Sequence, residues 1–477
     1  MKKSTTQTAN RRVLELPITL DPAIGNQTGR VHAALRSAIV DGLLQAGMQL
    51  PSSRGLAEQL GVRRNAVVAA YEHLINDGLA EARQGAGTYV ARALPAPAKP
   101  APGSRLDLAP SSRRPFALGH TFVDDDLLRR LGGYLRRQVM SAGATELGYG
   151  DPRGSEVLRA QIADHLAAHR GVRCDPASVV IVSGTQHALR LCTDALFQKG
   201  DAIWMEDPGY YATQTTLRAA GLRLVPMPVD EEGADIASGL RMKETPRAAY
   251  VTPSHQFPTG VTMSMRRRVA LIEWAQANQS WIIEDDYDSE YRFAGAPLTA
   301  LAGIGGERVI YIGTFTKTLF AGLRLAYLVL PSELVPRVTA ARAAIDRFPP
   351  RFMQDAVAAL MADGTLANHT RRMRTRYREA RDVVVEALRE TAKDVIRVGG
   401  PPQGLHLVAA LPKGVPTAMA IAIRDAANIE CKLMSDTRLT ASGPEGFILG
   451  YSGHGIHELR DSARRLGRAA KAMLRAK

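Results

Sequence analysis

Between Arg92 and Pro115 the chain carries Pro95, Pro97, Pro100, Pro102, Pro110 and Pro115, interleaved with alanine and serine. Proline lacks a backbone N–H and fixes φ, so neither helix nor sheet persists through that density. The stretch 93–115 is therefore expected to be a semi-extended linker. It divides the 477 residues into a short module, 1–92, and a long remainder, 116–477. The two parts must solve separate folding problems, and the longer one is large enough to bury a core of its own.

In the short module, Val31, Leu35 and Ile39 recur at four-residue spacing, which predicts a helix from about Thr28. Pro51 and Ser52 form a helix start and Gly61 a stop. A third helix is expected from about Arg64 to Asp77, with Val67, Val68, Tyr71, Leu74 and Ile75 facing inward. Short strands from Leu79 to Arg83 and from Thr88 to Ala91 flank a glycine-rich turn. Two short helices joined by a tight turn make the helix-turn-helix pattern. Its second helix enters the major groove by its N-terminal end, which here carries Arg63, Arg64 and Asn65. Arginine can read guanine and asparagine adenine. At the hairpin tip Gly87 lets backbone approach a phosphate. A formal net charge of +14 fits an anionic partner such as nucleic acid. The same residues also allow a plain helical bundle with a solvated basic face.

The text Leu50-Pro51-Ser52-Ser53-Arg54, with Leu60-Gly61-Val62, Arg64-Asn65, Ala70-Tyr71 and Gly85-Ala86-Gly87-Thr88, settles between these readings. It resembles the winged helix-turn-helix of the GntR family of bacterial regulators. The resemblance implies an α+β winged domain that binds double-stranded operator DNA through Arg54, Arg64 and the wing around Gly87. Arg63 stands where the family usually has serine or threonine, and Ala66 where it has threonine. One change adds a donor and the other removes a hydroxyl, so the operator sequence does not carry over.

The remainder alternates apolar strands and helices. Strands are expected at 179–182, 202–205, 223–227, 248–252, 281–284, 308–313 and 323–330. Helices such as 156–169 and 186–197 fall between them. This alternation predicts an α/β domain with a mostly parallel sheet, and a smaller C-terminal subdomain from about Phe348. Ligands of such sheets bind beyond the carboxyl ends of strands, where this chain places its polar clusters. Gly184 and Thr185 open a helix whose N-terminus favours an anion. Asp285 follows an apolar strand, where its carboxylate can pair with a pyridinium nitrogen. Tyr287 can reach a ring hydroxyl, and Tyr210 can stack on a ring face. Lys317, at the end of 308–313, is a candidate for a Schiff base with an aldehyde. Thr314, Thr316 and Arg324 suit a phosphate. Aldehyde plus phosphate describes pyridoxal 5'-phosphate. Each signal alone is weak, because a lysine at a strand end is more often a surface residue.

In this order the clusters resemble the fold type I aminotransferases. That resemblance assigns Lys317 as the Schiff-base lysine, and Arg324, Thr314, Thr316, Gly184 and Thr185 to the phosphate. It sets Asp285 against the pyridine nitrogen and Tyr287 against the ring hydroxyl. Aminotransferases commonly have asparagine before Pro-x-Gly, whereas this chain has Phe257 before Pro258-Thr259-Gly260. Phe257, with Asp285-Asp286-Tyr287-Asp288, Gly404-Leu405-His406 and Tyr149-Gly150-Asp151-Pro152, resembles the MocR-type subgroup of GntR regulators. There the winged domain is fused to an aminotransferase-like domain. The resemblance implies a homodimeric, pyridoxal-phosphate-binding transcriptional regulator that answers to the cofactor itself or to an amino acid or amine. Arg438 is the candidate for holding an effector carboxylate. Two rivals remain: an aminotransferase with an attached DNA-binding module, and a DNA-binding protein whose large domain only dimerises. Cys174, Cys192 and Cys431 are scattered with no C-x-x-C pair, so neither a metal site nor a disulfide framework is expected. The start Met1-Lys2-Lys3-Ser4 is polar and no apolar run spans a bilayer. A cytoplasmic protein without a membrane partner is expected.

Overall fold

The computed structural model describes residues 16–92, 114–241, 244–441 and 443–475. The expected linker lies outside these residues save for Arg114 and Pro115. Two compact units divide between Leu108 and Ala109, inside the proline-dense stretch.

The first unit has helices Gln27–Val40, Ser53–Leu60 and Arg64–Asn76, then a hairpin of Ala80–Arg83 with Gly87–Val90. Local chemistry explains the boundaries. Ser52 Oγ accepts from the Gly55 N–H at 3.1 Å and starts the second helix. Gly61 ends it with φ 64° and ψ 32°, a left-handed turn that a Cβ would oppose. Val31, Leu35, Leu56, Val67 and Leu74 are fully enclosed. Tyr71 donates to the Pro51 carbonyl at 2.8 Å and ties the third helix to the turn before the second. One inward-facing expectation is corrected. Val68 is 36% exposed, while Ala66 and Ala70 are buried. The inward stripe follows 67, 70, 71 and 74, which is the helical repeat, and position 68 falls beside it.

The second unit holds an eight-stranded sheet. Its spatial order is Val179–Val182, Ala326–Val329, Val309–Thr314, Trp281–Asp286, Ala248–Val251, Ala202–Asp207, Arg223–Asp230 and Gly233–Ala234. The central strands pair in parallel, and Ala326–Val329 runs antiparallel to both neighbours. Helices cover both faces, so strands such as Val179–Val182 are buried at every position and read as unbroken apolar runs. The expected strand 323–330 is shorter in the structure, because a 3₁₀ turn at Ala321–Leu323 and a left-handed Arg324 (φ 50°, ψ 49°) come first. The chain has to reverse there to run antiparallel to Val309–Thr314.

A smaller antiparallel sheet follows, in the order Arg397–Val398, His406–Ala410, Gly446–Gly450 and Lys432–Leu433. The helices Thr365–Ala392 and Ile456–Arg475 share its core with Phe447, Leu449 and Tyr451. Among the described residues no helix is long and apolar enough to cross a membrane.

Leu74 is fully buried in the first unit. Leu74→Ala is expected to destabilise that unit by roughly 2–5 kcal/mol. Urea denaturation of the intact chain should show the winged unit's transition shifted and the larger unit's unchanged. A loss below that range would mean that the site collapses around the truncated side chain.

Candidate functional site

Lys317 follows the strand Val309–Thr314 in a turn braced by hydroxyls. Thr314 Oγ1 accepts from the Thr316 N–H at 3.1 Å and lies 2.9 Å from Thr316 Oγ1. Tyr291 donates to the Lys317 carbonyl at 3.2 Å. The turn delivers the lysine side chain into a cavity of about 290 Å³. Burial draws the Lys317 pKa below its ordinary value, with Asp288 and Asp285 opposing. A lysine so placed is more often the neutral, nucleophilic amine than a surface lysine is.

Asp285 lines the same cavity from the neighbouring strand Trp281–Asp286. Its Oδ2 accepts from Tyr250 at 2.5 Å, whereas its buried Oδ1 has no partner among the described residues. Burial pushes this carboxyl up to about 7, the Tyr250 bond opposing. An orphaned, buried carboxylate oxygen is a group that lacks its hydrogen-bond donor. A pyridine N–H fits it.

The anion end of the cavity is built from three elements. Gly184 caps the helix Thr185–Leu196 without any side-chain hydrogen bond, leaving its first amides free for a ligand. Arg324 lines the cavity and has no anionic partner among the described residues. Thr314 and Thr316 complete the ring. Free amides, a free guanidinium and two hydroxyls match a phosphate. The donor set thus fits pyridoxal phosphate at both of its polar ends.

Tyr287 and Tyr210 also line the cavity. Tyr210 packs edge-on against Phe257 with ring centroids 5.3 Å apart. The Tyr287 hydroxyl donates to the His255 carbonyl at 3.0 Å and lies 3.1 Å from His255 Nδ1. That ring nitrogen is 2.9 Å from Asp288 Oδ2, which also accepts from the Leu405 N–H at 3.2 Å. His406 stands beside them, its Nε2 donating to the Pro258 carbonyl at 3.0 Å. Burial lowers His406 to about 3, so it is neutral. His255, Asp288 and His406 each bring a donor atom within 4.8 Å of the others, and those of His255 and Asp288 are already bonded to one another. Sequence reasoning missed the roles of His255, Asp288, Tyr250 and His406. Asp288 and His406 stand within motifs quoted for the resemblance and His255 lies two residues before Phe257, and adjacency was the only signal.

Arg438 is not brought to the cavity. Its guanidinium folds back onto the Pro444 carbonyl, a contact within its own glycine-containing loop.

In the winged unit Arg54, Arg63, Arg64, Asn65 and Gly87 are all exposed. Arg63 is the N-cap of the helix Arg64–Asn76, and Arg64 Nε donates to Ser53 Oγ at 3.3 Å. Val68 lies one helical turn beyond Arg64 on the exposed side, an apolar group available for a thymine methyl.

The pattern of "Bacterial regulatory proteins, gntR family" matches residues 27–90, and that of "Aminotransferase class I and II" matches residues 129–443. The chain is 34% identical over 459 residues to the probable rhizopine catabolism regulatory protein MocR of Rhizobium meliloti, covering 91% of this chain and 93% of that protein. It is 30% identical to the HTH-type pyridoxine biosynthesis transcriptional regulator PdxR of Corynebacterium glutamicum, over 94% and 96% of the two chains. Among solved structures, the α-aminoadipate aminotransferase LysN of Thermus thermophilus, complexed with N-(5'-phosphopyridoxyl)-L-leucine, superposes with a TM-score of 0.69 at 28% identity. That match covers 76% of this chain and 93% of the other.

Asp285 holds its proton more tightly in the fold than its ordinary value of 3.8 allows in the unfolded chain. Between 3.8 and about 7 the folded state therefore binds more protons, and stability falls as pH rises through that window. Asp285→Asn removes this contribution, so the thermal midpoint of the cofactor-free protein should fall less steeply with pH in the variant. Glu206 and Glu284, both raised to about 7 by burial, keep a residual slope. Equal slopes for variant and parent would mean that Asp285 titrates as an ordinary carboxyl.

Proposed function

The chain belongs to the MocR-type, aminotransferase-fused branch of the GntR family of bacterial regulators, and from that premise we propose that it binds pyridoxal phosphate at Lys317 to sense a small molecule. The observation that carries this reading is the convergence of Lys317, the orphaned Asp285 oxygen and the unpaired Arg324 on one cavity. When bound, the cofactor supplies an aldehyde that an amine can join and a ring that draws electrons from it. This chain's residues hold and orient it. Lys317 offers its amine, Asp285 takes the ring N–H, and Tyr287 donates to the ring hydroxyl. Arg324, Thr314, Thr316, Gly184 and Thr185 hold the phosphate, and Tyr210 covers a ring face.

The winged unit reads operator DNA through Arg54, Arg63, Arg64 and Asn65, with the backbone at Gly87 following the phosphates. We infer that the protein acts as a homodimer in the cytoplasm. Large apolar side chains stand exposed along and just after the helix Asp125–Met140, among them Leu128, Val139, Met140, Leu147 and Tyr149. Met140 is 78% exposed and Tyr149 81%, a pattern that a second copy would cover. A two-fold dimer matches half-sites about 34–36 Å apart, or a multiple of that spacing. The effector is the cofactor itself, an amino acid or an amine. It can shift DNA affinity only by its differential affinity for the two states of the regulator, typically about 1–3 kcal/mol.

Two measurements test this reading. Adding pyridoxal phosphate to the full chain should produce a visible absorption band that Lys317→Ala abolishes. A band that survives would place the cofactor elsewhere, and sustained conversion of an amino acid with a keto-acid acceptor would favour an enzyme. Arg64→Ala should weaken operator binding by about 1–3 kcal/mol while changing binding to random DNA far less. Equal losses on both would mean that Arg64 touches only phosphates.

A further inference from the structure

The cavity has parts of opposite character. Its anion end holds Arg324 and the amides at Thr185. Another part of its lining is a wall of rings and aliphatic groups. Phe257, Met434 and Ile448 are buried in one apolar cluster, with Tyr210, Tyr211 and Leu118 packed against it. Of these, Phe257, Tyr210, Tyr211 and Leu118 line the cavity directly. Ile448 is fully buried in the strand Gly446–Gly450 behind them. His406, also in the lining, is held neutral and spends its Nε2–H on the Pro258 carbonyl.

An effector carboxylate arriving at this wall finds no guanidinium of its own among the described lining residues. Arg438 is turned onto Pro444. Among the described residues the cavity lining contains a single guanidinium, that of Arg324, which sits at the phosphate end. Bringing a carboxylate against apolar rings without a charged partner is unfavourable. An apolar or aromatic body, in contrast, gains offset and edge-on contacts with Tyr210 and Phe257.

Resting on the cofactor reading above, we propose that the second ligand of this cavity is a primary amine with an apolar or aromatic body and no carboxylate. Its amine exchanges with Lys317 at the cofactor's aldehyde carbon. One carbon–nitrogen double bond forms as the other breaks, Lys317 leaves as the free amine, and no electrons are gained or lost. The amine's body lies against the Phe257 and Tyr210 wall.

The test uses the full chain loaded with pyridoxal phosphate and matched pairs that differ only in the carboxylate: phenethylamine against phenylalanine, tyramine against tyrosine, and isopentylamine against leucine. Two readouts are followed, the shift of the visible absorption band and the retention of an operator fragment. Each amine should half-saturate the band shift at a concentration roughly tenfold or more below that of its amino acid, and only the amines should alter operator binding. Amino acids that bind as tightly as their amines, or more tightly, would overturn the proposal. They would reveal a carboxylate partner, including one contributed by a second copy of the chain. A normal band that responds to neither class would also overturn it and leave the cofactor as the signal. If pyridoxal phosphate produces no band at all, the cofactor reading fails first and this inference with it.

Discussion

The large unit depends on a short run of buried acids at the carboxyl end of its strand Trp281–Asp286 and just beyond. Glu284 accepts from the Leu301 and Ala302 amides and anchors the start of the helix Leu301–Gly305. Asp285 takes the Tyr250 hydroxyl from the adjacent strand. Asp286 pairs with Arg170 at 2.7 Å and accepts from Tyr311 at 2.6 Å. Asp288 holds His255 and the Leu405 amide. Each acid thus fixes a different neighbouring element against the same strand end. Burial makes these charges costly alone, and removing one partner of a buried pair such as Arg170–Asp286 costs about 3–5 kcal/mol. Asp285, Asp286 and Asp288 each keep one buried oxygen without a partner among the described residues, and of the run only Asp285 lines the cavity.

The same run links the cavity to the small subdomain. Asp288 holds both the ring of His255, on which Tyr287 rests, and the Leu405 amide next to the strand His406–Ala410. Gly404 makes this junction so close that a Cβ there would stand 2.0 Å from His255 Cε1, at a φ of +78°. Tyr451 closes it from the small sheet by donating to the Gly404 carbonyl at 2.6 Å. A ligand that draws the Tyr287 hydroxyl away from His255 therefore acts on a chain whose next member, Asp288, is bonded to the Leu405 amide of the small subdomain. Packed elements of this kind move between discrete arrangements rather than deforming smoothly.

Much of this architecture was legible in the sequence because the physics is local. Parallel strands covered on both faces must be apolar throughout, so the runs within 179–182 and 308–313 stood out. Ser52 and Gly61 bounded a helix by capping chemistry that acts over a few residues. The candidate cofactor residues could be grouped because they stand at or near strand ends, where such sheets put their ligands. What escaped depends on long-range contact. The hydrogen bonds from Asp288 reach residues 33 and 117 positions away. No periodicity reports which loop returns to meet it. The contact of Arg438 with the Pro444 carbonyl was not legible for the same kind of reason, since no pattern reports how a loop folds back. Val68 was assigned inward because it is apolar, although the helical repeat already set it to one side.

Phe257 bears on whether the chain senses or turns over its ligand. At that place an asparagine would offer the cofactor's ring hydroxyl a hydrogen bond. Phenylalanine offers none, and its ring packs against Tyr210 and His406 instead. On the proposed reading the ring hydroxyl would fall to Tyr287, whose hydroxyl donates to the His255 carbonyl at 3.0 Å. Under that reading, engaging the cofactor would draw on a network that ends at the small subdomain, a coupling that suits a sensor better than a catalyst. Catalysis rewards groups already aimed at the transition state, whereas signalling requires that binding and rearrangement be coupled. The buried Tyr287, His255 and Asp288 chain has the second property, which is why a lysine built for amine chemistry sits more naturally in a regulator.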